Sequence, residues 1–110
     1  MIKQDAPHIS VLLQEVLDIL APKDGGIYVD GTFGAGGYSR AILESADCKV
    51  FGIDRDPLAI SIGQEMAKEF ADRLVMIEGC YADMETLLSS LGEGAVDGIA
   101  LDIGVSSMQI

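Results

Sequence analysis

Residues 27–37 read Ile27-Tyr-Val-Asp-Gly-Thr-Phe-Gly-Ala-Gly-Gly37, and the order of residue types in that stretch decides the fold. A short β-branched and aromatic run ends in Asp30. Glycines follow at 31, 34, 36 and 37, and an amphipathic segment over 38–46 comes next. Strand, glycine loop, helix is the arrangement by which a parallel sheet aims backbone N–H groups at a bound ligand. Two phosphate-binding loops do not fit. The NAD fingerprint needs Gly or Ala five positions after its first glycine, and counting from Gly34 that position is Ser39. No Gly-Lys-Ser/Thr follows, so a P-loop is excluded. An acidic strand end before a glycine-rich turn suits S-adenosylmethionine, which carries no phosphate and is positive at its sulfur and amino group.

Outward from this stretch the pattern repeats in type. The spacing of apolar residues predicts a helix over 11–20, with Ser10 as N-cap and Pro22 and Gly25-Gly26 beyond its end. Strands are expected at Ile27–Asp30, Lys49–Asp54, Leu74–Glu78 and 96–103. Helices are expected over about 37–46, 57–71 and 84–91, the second capped by Asp56 with Pro57 at its first position. Strands alternating with helices mean βαβ units, so the fold class is α/β: a Rossmann-like parallel sheet of order 3-2-1-4 with flanking helices and right-handed crossovers.

Composition narrows the function. The chain has 110 residues, 49% of them apolar, which is one small domain or part of a larger one. No apolar run approaches the roughly 20 residues that span a membrane, and the start is no signal peptide. Cys48 and Cys80 make no disulfide framework, and no metal ligand set is expected; a reduced cytoplasmic protein is the simplest reading. Seven basic residues against eighteen acidic ones give a net charge of −11, which opposes direct contact between this segment and nucleic acid.

Each expected strand ends in residues that face one edge of the sheet, where open α/β folds bind ligands. Asp30 and the loop Gly34, Gly36, Gly37 end the first strand. Asp54 ends the second, eighteen residues after Gly36 and near the spacing of a ribose-binding acid. Tyr81 follows the third, where an adenine would lie, and Asp102 the fourth. Set against these, His8, Cys80 and the Arg55–Asp56 pair read as arm, packing and cap residues.

Taken together, His8-Ile-Ser-Val-Leu-Leu-Gln-Glu15, the 30–37 loop, Ile53-Asp-Arg-Asp-Pro57 and Leu101-Asp-Ile-Gly-Val-Ser-Ser107 with Gln109 resemble the bacterial MraW-type methyltransferases. The resemblance covers nearly all of residues 1–110. It implies a class I methyltransferase fold and S-adenosylmethionine as cofactor. The implied activity is methylation of the exocyclic N4 of a cytidine in the decoding region of 16S ribosomal RNA. It implies cofactor contacts from Gly36, Gly37, Tyr38, Asp54, Tyr81, Asp102 and Gln109. Tyr38, Tyr81 and Met108 stand where many members have His, Phe and Pro. Members are about three times as long, so the chain reads as the N-terminal, cofactor-binding part, with the remaining strands and a substrate domain absent. The 16S RNA in the small subunit would then be met by that missing part.

The cytosine amine is a poor nucleophile, and an acceptor that orients it and takes its proton would help; Asp102 is the candidate catalytic residue. The residues alone leave open an adenosylmethionine enzyme with another substrate, and a non-catalytic nucleotide-binding module. A strand over 96–103 with no successor would also be an open apolar edge, so self-association through it is expected.

Overall fold

The computed structural model describes residues 5–90, 92, 95–101 and 104–107, with side chains described for 13–90, 92 and 95–101. The elements run α1 (Asp5–Leu20), β1 (Ile27–Asp30), α2 (Gly37–Ser45), β2 (Lys49–Asp54), α3 (Pro57–Glu69) and β3 (Leu74–Glu78). A 3-10 turn (Tyr81–Asp83), α4 (Met84–Ser90), β4 (Gly98–Leu101) and β5 (Gly104–Ser107) follow. One sheet holds all five strands in the order β3-β2-β1-β4-β5. The first four are parallel, with Tyr28 beside Val50 and Gly98, and Val50 beside Leu74. Order 3-2-1-4 therefore stands.

The sheet is apolar on both faces, as crossover helices on each side require. One face carries Tyr28, Val50, Leu74 and Ala100, packed under Val16 and Leu20 of α1, Ile42 and Leu43 of α2, and Ala59 and Met66 of α3. The other carries Val29, Phe51, Ile53 and Ile99 beneath Met84, Leu87 and Leu88 of α4. The chain crosses from one face to the other between β3 and β4. That puts the reversal of strand order, and the cleft it opens, between β1 and β4.

Four local expectations need correction. Helix α1 begins at Asp5, so Ser10 lies inside it rather than at its cap. Helix α3 stops at Glu69, because Ala71 and Asp72 adopt left-handed φ of 52° and 65°. Strand β4 begins at Gly98 rather than at 96, and the last two expected positions, 102 and 103, lie outside the described residues. Val96 and Asp97 stay outside the ladder because Asp97 closes a ring with Ile27: its N–H donates to the Ile27 carbonyl (2.6 Å) and its carboxylate accepts from the Ile27 N–H (2.8 Å). Finally, β4 is not an open edge. Strand β5 turns back and pairs with it antiparallel, Gly98 beside Ser107 and Leu101 beside Gly104, so the pairing groups expected to seek a second molecule are already used. No helix among the described residues is long and apolar enough to cross a membrane.

Candidate functional site

The carboxyl ends of β1 and β2 are tied together by the glycine loop. Gly31 N–H continues the sheet to the Ala100 carbonyl (2.9 Å), and Phe33 N–H reaches across to the Ile53 carbonyl (3.1 Å). The Phe33 ring turns down into the core and is 3% exposed. It occupies space that glycines vacate: a Cβ on Gly52 would meet Phe33 Cδ1 at 2.7 Å, and one on Gly36 would meet Phe33 Cζ at 2.8 Å and Met66 Cε at 2.6 Å. Gly36 also holds φ 88°, a left-handed conformation that side chains resist. It is the N-cap of α2 and brings no side chain to that helix's first-turn donors. A Cβ on Gly37, the first residue of α2, would meet nothing within 4 Å. The loop thus bends over a buried aromatic and leaves the start of α2 open.

Asp54 closes the loop from the neighbouring strand. Its Oδ2 accepts from Gly34 N–H at 2.8 Å and its Oδ1 from Asp56 N–H at 3.0 Å. Partial burial pushes its pKa up, but the N–H groups of Asp56, Gly34 and Arg55 and the Arg55 charge outweigh that and hold it below the usual carboxylate value. The group is an anion with acceptor capacity left, since a carboxylate offers about four lone-pair sites. Asp56 in turn caps α3 through Leu58 N–H (2.9 Å), with Pro57 at the first helical position as expected.

Asp30 differs from Asp54. It is fully buried, with Oδ2 accepting from the Ser39 hydroxyl at 2.7 Å and Oδ1 from Thr32 N–H at 3.3 Å. Tyr38, the second residue of α2, is half-buried and packs against the core cluster of the first face. Tyr81, 39% exposed, opens the 3-10 turn after β3. Its Cβ would lie 3.1 Å from a Cβ on Gly31, which brings the third strand end against the first. Of the residues expected from sequence, Asp30, Gly34, Gly36, Gly37, Asp54 and Tyr81 therefore gather at this edge, whereas Tyr38 packs on the core from the first turn of α2. Asp102 and Gln109 lie outside the described residues.

Sequence reasoning missed Phe33, Thr32 and Ser39. An aromatic between two glycines in an otherwise small-residue loop is a usable signal for Phe33; nothing marks Ser39 until its partner is seen. A hollow of about 410 Å³ sits at the opposite, amino-terminal end of the sheet, against Gly26, Lys49 and Arg73, away from all of these groups.

Comparisons with known proteins bear on the fold and the family. Among solved structures, an rRNA methylase from Streptococcus thermophilus superposes with a TM-score of 0.59 at 20% identity, over 78% of this chain and 49% of that one. Geranyl diphosphate methyltransferase in complex with SAM does so at 0.58 and 24%, over 64% and 30%. At such identities these likenesses establish the fold. The chain is 65% identical over 105 residues to a ribosomal RNA small subunit methyltransferase H from Parvibaculum lavamentivorans, covering 96% of this chain and 31% of that protein. A protein of the same name from Paramagnetospirillum magneticum is 60% identical over 104 residues, 94% of this chain and 33% of the other. The chain thus spans about a third of the length of the curated relatives it matches. The sequence model of the MraW methylase family matches residues 5–110, nearly the whole chain, and the chain belongs to that family.

Proposed function

We infer that this chain forms the S-adenosylmethionine-binding half of a cytoplasmic methyltransferase that acts on 16S ribosomal RNA of the small subunit. The methyl acceptor in this reading is the exocyclic N4 of a cytidine in the decoding region. The observation that carries the cofactor is the ionised Asp54 at the end of β2, bound to the Gly34 N–H beside the open start of α2. The residues present fit the group. Asp54, with three backbone N–H groups on it, keeps acceptor capacity for a ribose hydroxyl. The first turn of α2 is a place for the carboxylate of the amino-acid part, because helix N-termini favour anions. Tyr81, beside Gly31, suits one wall of an adenine pocket. Asp30 would serve the same ligand from behind the loop.

When bound, S-adenosylmethionine supplies a methyl group activated by the positive charge on its sulfur. The protein's part is positioning, which for an in-line displacement is a large share of the acceleration. Asp102, the residue after the last of β4 in sequence, is the candidate to orient the cytosine amine and take its proton, and Gln109 a candidate cofactor contact. The RNA would be held by sequence corresponding to the two thirds of the relatives that lie outside the match, since a net charge of −11 repels phosphates.

The test is transfer of labelled methyl groups from S-adenosylmethionine to small ribosomal subunits by the full-length protein, followed by digestion to nucleosides. The label is expected in N4-methylcytidine. Label in another nucleoside would overturn the acceptor, and no incorporation into RNA would overturn the substrate.

A further inference from the structure

We propose that Ser39 and Asp30 are positioning residues that set the shape of the glycine loop, acting on a cofactor only through that loop. Both side chains are fully buried, so neither can touch a ligand in the cleft. Their bond is short: the Ser39 hydroxyl donates to Asp30 Oδ2 at 2.7 Å, nine residues back along the chain. A helical serine usually bonds a carbonyl in its own preceding turn. This one, in the first turn of α2, reaches instead to the last residue of β1. The other Asp30 oxygen accepts from Thr32 N–H at 3.3 Å, at the start of the loop.

One carboxylate thereby fixes both ends of the 31–37 span. Between the two anchor points lie Gly34, which donates to Asp54, and Gly36, which holds φ 88°. Glycine adopts that conformation freely, so the loop's shape has to be held by its anchors. Losing the Ser39 hydroxyl leaves a buried carboxylate oxygen without that donor, and the structure can relieve this most easily by moving the loop, since β1 is held on both sides by strands.

The experiment compares Ser39→Ala, Asp30→Asn and the double variant in the full-length protein. Amide exchange of Gly34 and Gly36, whose N–H groups donate to Asp54 and Phe33, is measured against that of Ile42 and Leu43, together with adenosylhomocysteine affinity by calorimetry. Each single variant is expected to speed exchange of the loop amides by roughly tenfold with little change at Ile42 and Leu43. Affinity should fall by a similar factor, and the double variant should be no worse than the worse single. If Ser39→Ala does not fold, Ser39→Cys, close in size and a weaker donor, replaces it. Equal acceleration at loop and core amides would mean a purely global stability role and would overturn the proposal, as would unchanged loop exchange. The affinity arm rests on the proposed function, whereas the exchange arm does not. A wild-type protein that fails to bind adenosylhomocysteine would sink the cofactor reading and leave exchange to decide the positioning role.

Discussion

Asp54 does two jobs at the residue scale: it fastens Gly34 to the end of β2 and it offers charge to the cleft. A hydrogen bond to a charged acceptor contributes about 1.5–3 kcal/mol, so Asp54→Ala should weaken adenosylhomocysteine binding roughly ten- to a hundredfold by calorimetry. Its depressed pKa also couples folding to pH. The stabilisation is complete above the unfolded carboxylate value and is lost as pH falls through the lower folded one. Below about pH 4, the thermal midpoint of the wild type should therefore drop more steeply than that of Asp54→Asn. Gly36→Ala places a methyl group against Phe33 and Met66 at φ 88°, and should cost at least about 1–2 kcal/mol in urea unfolding. Asp54 and the glycines were legible in the sequence because their types and spacing are demanded by the turn. Asp30 was legible as a residue but not in its role. An acid before a glycine turn looks the same whether it faces the cleft or, as here, a serine nine positions on.

Elements were read best where propensity and packing agree. Strands β2 and β3 fall at the expected residues because each is a run of apolar, β-favouring side chains between turn formers. Strand β4 is shorter because Asp97, at its start, satisfies Ile27 with its side chain. The fastening of α2 could not be foreseen, since it depends on a residue about thirty positions away. Arg73, just before β3, donates to the carbonyls of Ala46 (3.0 Å), Cys48 (2.9 Å) and Leu43 (3.3 Å), and lies over the Phe70 ring with Arg40 nearby. Three acceptors arranged this way suit a guanidinium and not an ammonium. Arg73→Lys should lower stability by about 1–2 kcal/mol in chemical unfolding, and Arg73→Ala by about 2–3 kcal/mol. Equal stability of wild type and lysine variant would show that charge alone matters there.

At the scale of the whole molecule, the sheet edge and the charge balance govern behaviour. The reading of β4 as an exposed edge failed because the short segment after it contains two serines and a glycine, which carry little strand signal, yet Gly104–Ser107 pairs along its full length. Deleting residues 103–110 should uncover that edge and drive association in sedimentation velocity, whereas residues 1–110 should not associate through β4. Residues 1–110 alone should transfer no methyl groups to small subunits above background, since a net charge of −11 repels phosphates. In this reading the carboxyl edge over β1 and β2, with Asp54 and Tyr81, takes an adenosine bearing a charged amino-acid arm and not a dinucleotide. Calorimetric titration of the full-length protein with adenosylhomocysteine and, separately, with NAD tests it most directly. Saturable one-to-one binding of adenosylhomocysteine, weakened by Asp54→Ala, with no binding of NAD is the expected result; saturable NAD binding with no heat from adenosylhomocysteine would overturn the cofactor assignment.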